Sequence, residues 1–175
     1  VVAIKEYLPS EFATRVPGEE TITIYSGEKE NQFAIGKDKF ADEARRLAQF
    51  NAVEGVVEIK DTFLDNDTAY IVMEFLEGET LKEKITREGK LSPEETLPII
   101  KSVLMTLQEV HKGDIIHRDI APDNIFLCSN GQVKLLDFGA SRYATVQHSK
   151  SLSVILKEGY APEEQYRSKG VQGPW

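Results

Sequence analysis

Cysteine is nearly absent: Cys128 is the one thiol in 175 residues. That excludes an intrachain disulfide framework and fits a reducing compartment. A single thiol in an apolar run reads as a small packed residue, not a reactive nucleophile. Long hydrophobic runs are missing too. No stretch approaches the ~20 apolar residues of a membrane span, so no membrane contact is expected from this segment. The opening VVAIKEY lacks the basic start and small-residue cleavage site of a signal peptide. Basic residues are in the minority, 21 Lys and Arg against 29 Asp and Glu, for a net charge of −8. A general nucleic-acid binder would be basic, so no nucleic-acid partner is expected. No internal repeat or low-complexity tract appears. The chain has no methionine start, opens inside a strand-like run and stops after Gly173-Pro174. We therefore expect a cytoplasmic segment of a longer protein, whose parent could be anchored elsewhere.

Periodicity changes along the chain. Val1 to Lys5 is a β-branched apolar run and reads as a strand. Residues 8–20, with Pro9, Pro17 and Gly18, read as loop; 21–25 alternate like a small strand, and 26–37 read as polar and flexible. Phe40, Ala44 and Leu47 recur at helical spacing, which predicts an amphipathic helix over 38–50. Short strands follow at 56–59 and 62–64. Asp65-Asn66-Asp67 marks a turn into an apolar strand over 69–75. Then come two capping boxes, Thr80–Glu83 and Ser92–Glu95. The second opens a helix expected to turn Leu97, Ile100, Leu104, Leu107 and Val110 inward, to be disturbed by Pro98, and to end at Gly113. Strands at 125–128 and 132–138 flank Asn130-Gly131, a hairpin signal. The first ~76 residues are strand-rich with one helix, and the rest begins helical, so two lobes joined near 76–79 are expected.

The chemistry concentrates in His117-Arg118-Asp119-Ile120-Ala121-Pro122-Asp123-Asn124, followed by Asp137-Phe138-Gly139. A carboxylate that can accept a hydroxyl proton, Asp119, precedes two oxygen ligands suited to Mg²⁺, Asn124 and Asp137. This is the pattern phosphoryl transfer from ATP requires. Asp137 closes an apolar strand, where a carboxylate is expected to be ligated or paired. Lys5, in Val2-Ala3-Ile4-Lys5, offers a cation for phosphates. Glu43, at the edge of the amphipathic face, offers that lysine a partner. Gly159-Tyr160-Ala161-Pro162-Glu163 closes the set. A hydroxyl-rich loop with Ser141, Thr145, Ser149, Ser151 and Ser153 precedes it, where a phosphate could pair with Arg118.

Taken together, these residues resemble the eukaryotic-like protein kinases, most closely the bacterial serine/threonine kinases. The resemblance covers almost the whole chain in motif order. It implies an α+β, two-lobed protein-kinase-like fold truncated at both ends, with a partial N-lobe at 1–76 and a partial C-lobe at 77–175. It implies an ATP- and Mg²⁺-dependent transfer of the γ-phosphate to serine or threonine hydroxyls of protein substrates. By the resemblance, Asp119 is the base and Lys5 pairs with Glu43 and the ATP phosphates, while Asn124 and Asp137 hold Mg²⁺. Met73 would be the gatekeeper, the backbones of Glu74 and Leu76 would bond adenine, and Ala3 and Phe126 would sandwich it. Leu47, Ile59, Phe138 and His117 resemble the apolar stack that aligns the lobes. Arg118, Glu163 and the loop hydroxyls would form the activation segment, with dimerisation or autophosphorylation in trans among the implied partners.

The chain also departs from the family pattern. The 175 residues contain no glycine-rich phosphate loop, the stretch from Lys5 to Glu43 is long, and Ala121 stands where serine/threonine kinases usually carry lysine. Pro122-Asp123 still favours serine/threonine over tyrosine. The alternative reading is a nucleotide-binding pseudokinase acting as scaffold or allosteric regulator. A small-molecule phosphotransferase of related fold would lack His-Arg-Asp and the Ala-Pro-Glu element. The isolated 175-residue piece is expected to be inactive.

Overall fold

The computed structural model describes residues 1–113, 115–138, 159–161 and 163. Within them the elements run β1 (Val2–Glu6), β2 (Ala13–Thr14), β3 (Thr23–Ile24), α1 (Glu28–Leu47), β4 (Ile59–Asp65), β5 (Thr68–Glu74), β6 (Gly78–Thr80), α2 (Leu81–Glu88), α3 (Pro93–His111), β7 (Ile125–Cys128) and β8 (Val133–Leu135). The chain divides into two units. Val1–Gln49 and Glu58–Phe75 belong to the first; Phe50–Val57 and the described residues from 76 onward belong to the second. No described helix is long and apolar enough to cross a membrane.

The first unit is an antiparallel sheet in the order β1-β5-β4, with α1 packed on β4 and β5. Asn66 and Asp67 take φ of 51° and 65° at the β4–β5 turn, the conformation that a two-residue hairpin with right-handed strand twist demands. The strands expected at 56–59 and 62–64 are instead one strand, Ile59–Asp65, with a register shift between Ile59 and Asp61. Val56 forms a parallel bridge to Leu135 in the second unit. The 8–20 stretch is not all loop, since Ala13–Thr14 pairs with Thr23–Ile24 and buries Phe12, Ala13 and Ile22.

The helix expected at 38–50 begins ten residues earlier, at Glu28, so 26–37 is largely helical. Phe33 and Gly36 extend the buried stripe of Phe40, Ala44 and Leu47. The polar residues between them are the exposed face, and Glu28 and Glu30 suit the positive end of the helix dipole.

The second unit has the antiparallel order β6-β7-β8, with α3 against β8. Both capping boxes form, Thr80 with Glu83 and Ser92 with Glu95. The buried face of α3 is the expected one only at Val110. Ile99, Val103, Thr106 and Val110 are inside, while Leu97, Ile100 and Leu104 are exposed and Leu107 is half-buried. Two apolar stripes share this helix, and periodicity alone cannot choose between them. Packing chooses: Thr106 lies directly over Gly55, on the segment that bridges to β8. Pro98 does not interrupt α3, because it withholds a single N–H near the solvated first turns. The last strand stops at Leu135 rather than 138, where the Leu136 N–H turns to the Asn124 carbonyl.

A β-carbon at Gly55 would overlap the Thr106 side chain. Gly55→Ala should therefore destabilise the protein by roughly 1–3 kcal/mol. The measurement is a lowered urea midpoint at unchanged slope.

Candidate functional site

In the second unit the motif residues close a ring of hydrogen bonds. His117 is 1% exposed. Its Nδ1 accepts the Asp119 N–H at 3.3 Å, so in the neutral ring Nε2 carries the proton and donates to the Leu136 carbonyl at 2.8 Å. Asn124 is also buried, and its Nδ2 donates to the Asp119 carbonyl at 2.8 Å. The Asn124 carbonyl then accepts the Leu136 N–H at 2.9 Å. The Asp119 backbone is thus held at both its N–H and its C=O, and the 117–124 segment is tied to the strand end that carries Asp137. The His117 and Phe138 rings pack 4.4 Å apart, both buried.

Local backbone explains the aim of the acidic groups. Pro122–Asn124 form a short 3₁₀ turn with Pro122 at its start, which turns the chain into β7. Arg118 and Asp137 hold φ of 65° and 52°, left-handed values that residues with a β-carbon rarely adopt. Asp137 is exposed, because the chain has already left β8. Ala121 is buried at 1% exposure, so the position where a lysine was expected supplies a packed methyl. Phe126, half-buried on β7, pairs with Thr80 and Lys134. Leu76 lies half-buried just before β6.

In the first unit, β1 sets Ala3 opposite Met73 and Lys5 opposite Ile71. Alternation puts Ala3, Lys5 and Tyr7 on one face of that strand. Tyr7 packs on Phe33 and Phe40 of α1, so this is the face α1 covers. Glu43 is half-buried on α1, one turn past Phe40. Met73 is flanked by Ala3 and Ile59, and Leu47 and Ile59 are buried. The Glu74 N–H donates to the Glu58 carbonyl at 3.0 Å, and its carboxylate accepts the Glu58 N–H at 2.8 Å.

Glu163 is exposed. Ser141, Thr145, Ser149, Ser151 and Ser153 lie outside the described residues.

Two arrangements had not been anticipated from sequence. Arg15 grips Glu6 with both terminal nitrogens, and Tyr70 Oη donates to the same carboxylate at 2.8 Å. The Arg15 hydrogen bonds hold Glu6 below the usual carboxylate range. Tyr7 is 6% exposed, and its place two residues after Lys5 was the signal available. Among the described residues, no cluster of three or more His, Cys, Asp or Glu is preassembled for a metal.

The sequence pattern of the protein kinase domain matches residues 17–173. Serine/threonine-protein kinase PrkC of Bacillus subtilis is 40% identical over 115 residues, 64% of this chain and 17% of that protein. The solved structure of PpkA-294 in its apo form superposes with a TM-score of 0.86 at 32% identity, covering 99% of this chain and 60% of that one. A crystal structure of Rad53 1–466 in complex with AMP-PNP reaches a TM-score of 0.54 at 30% identity, covering 59% of this chain and 28% of that one. The chain spans about a sixth to a third of the length of the curated relatives it matches.

The buried imidazole makes the second unit sensitive to acid. Burial pushes His117 down to about 4 from its ordinary 6.5. Between those values the unfolded chain binds a proton that the folded chain refuses. Its contribution is thus complete above pH 6.5 and is lost as pH falls towards 4. The expected loss is roughly 3 kcal/mol. Urea melts from pH 7 to 4.5 should show it, and His117→Gln should flatten that part of the profile.

Proposed function

The chain belongs to the protein kinase domain family, and from that premise we propose that the protein carrying it transfers the γ-phosphate of ATP to serine or threonine hydroxyls of protein substrates. The observation that carries the reading is the Asp119 peptide, pinned by His117 on one side and Asn124 on the other. A base so held keeps its carboxylate in one place while the substrate hydroxyl approaches. The hydroxyl oxygen forms a bond to the γ-phosphorus, the bond to the bridging oxygen of ADP breaks, and Asp119 takes the hydroxyl proton.

The residues present fit a magnesium site. Asn124 has spent its amide nitrogen on Asp119, which leaves its oxygen for a cation, and Asp137 is exposed. Two hard oxygen donors with no preassembled cluster suit an ion that completes its shell from phosphates and water. Mg²⁺, when bound, neutralises phosphate charge.

In the remaining assignments, Lys5 meets the phosphates with Glu43 as its partner. Ala3 and Phe126 sandwich adenine, and Met73 guards the space behind it. The Glu74 N–H is committed to Glu58, so adenine would meet the Glu74 carbonyl, with Leu76 supplying the second backbone contact. Residues 1–76 and 77–175 are read as parts of an N-lobe and a C-lobe. Arg118 and Glu163 belong to the activation segment with Ser141, Thr145, Ser149, Ser151 and Ser153, whose phosphorylation in trans by a second copy would order it. A cytoplasmic placement fits a segment that reaches ATP.

Asp119→Asn should lower phosphate incorporation by about 10²–10⁴-fold with ATP binding retained. Radiolabel transfer to a generic serine/threonine substrate, alongside a nucleotide-binding titration, makes the measurement. Equal transfer by mutant and wild type would remove Asp119 from its role. ATP binding without transfer by the wild type would favour the regulator reading, in which Ala121 leaves the γ-phosphate short of a cation.

A further inference from the structure

The approach of Glu43 to Lys5 depends on where α1 sits along the sheet, and the first unit contains a device that sets this. Tyr7 inserts its ring between Phe33 and Phe40, with centroids at 5.1 and 5.5 Å. These two rings are seven residues apart on one face of α1, and Gly36 between them is buried. The ring therefore acts as a wedge between two knobs, and a shift of α1 along its axis in either direction would drive one of them into it.

The direction of α1 follows from a second contact. Lys37 Nζ reaches the Asp67 carbonyl at 3.4 Å, at the β4–β5 turn, and the Tyr7 N–H bonds Ala69 beside that turn. Lys37 thus places the middle of α1 at the turn end of the sheet, and the Ile22 N–H, bonded to the Asn66 carbonyl six residues before Glu28, brings the chain into α1 from that end, so its second half runs toward Lys5. Glu43 stands about 4.5 Å beyond Phe40 along the helix, and Lys5 about 7 Å before Tyr7 along the strand.

We propose that Tyr7 is a positioning residue: wedged between Phe33 and Phe40, it sets the axial register of α1 so that Glu43 stands opposite Lys5. The proposal rests on the kinase reading of Lys5 and Glu43. The ring alone does this, because the Tyr7 hydroxyl is buried and finds no hydrogen-bond partner among the described residues. The connection into α1 is tied down separately, by the Arg15 grip on Glu6 and by the Ile22 N–H on the Asn66 carbonyl.

The test is a mutant cycle in the protein carrying this chain, read as kcat/KM for ATP. Tyr7→Ala should cost about 10²-fold on the wild-type background, the scale of a misplaced catalytic group. On the Glu43→Gln background it should cost less than about twofold, because the group it positions is already lost. Tyr7→Phe should restore the wild-type value. Hydrogen exchange of the α1 amides over 40–47 should quicken in Tyr7→Ala and not in Tyr7→Phe. If Tyr7→Ala does not fold, Phe33→Leu, which opens one side of the wedge, replaces it with an expected loss of about tenfold. Equal losses on both backgrounds, or full activity without the wedge, overturn the proposal. A fully active Glu43→Gln would instead overturn the Lys5–Glu43 reading, while the exchange data still report on the register.

Discussion

A histidine that resists protonation holds the reactive loop of the second unit together. Both His117 nitrogens are in use, one accepting from Asp119 and one donating to Leu136. A second proton would set an N–H on Nδ1 against the Asp119 N–H and open the ring of bonds there. Burial keeps the imidazole neutral, so the same packing that hides the ring preserves the pattern that holds the Asp119 backbone. Asn124 completes the circuit by donating through its side chain and accepting through its backbone. Each member satisfies the others, which is the condition under which a buried polar network rigidifies a structure.

In the first unit the defining contact is one of shape. The face of β1 that carries Lys5 ends in an aromatic ring set between two others. Steric fit along a helix tolerates little sliding, whereas a lone surface ion pair would be worth too little to fix it. Hydrogen bonds hold the motif residues of the second unit, while ring packing joins the end of β1 to α1 in the first.

What could be read from the sequence follows from how local each feature is. The catalytic segment, both capping boxes and the hairpin at Asn130-Gly131 are set by neighbours a few residues apart. The α1 start was hidden because its first turns are polar and its anchor, Phe33, finds its partner Tyr7 far back in the chain. The buried stripe of α3 was hidden because two stripes compete and the deciding contact is with Gly55. The bond from His117 to Leu136 spans nineteen positions. Spacing identified both ends as motif residues but said nothing of a bond between them. The end of β8 was hidden for the same reason, since an apolar run says where a strand can continue but not where tertiary hydrogen bonds end it.

Arg118 and Asp137 each adopt a left-handed backbone next to a member of the His117 circuit. For a residue with a β-carbon that conformation costs about 1–2 kcal/mol. Both lie on the short stretches that place Asp119 and the exposed Asp137 carboxylate. The motif loop therefore stands uphill of the helices and strands around it. The circuit and the backbone strain oppose each other there, so breaking the circuit by protonating His117 should release both left-handed residues together, before α3 or the β7–β8 hairpin yields.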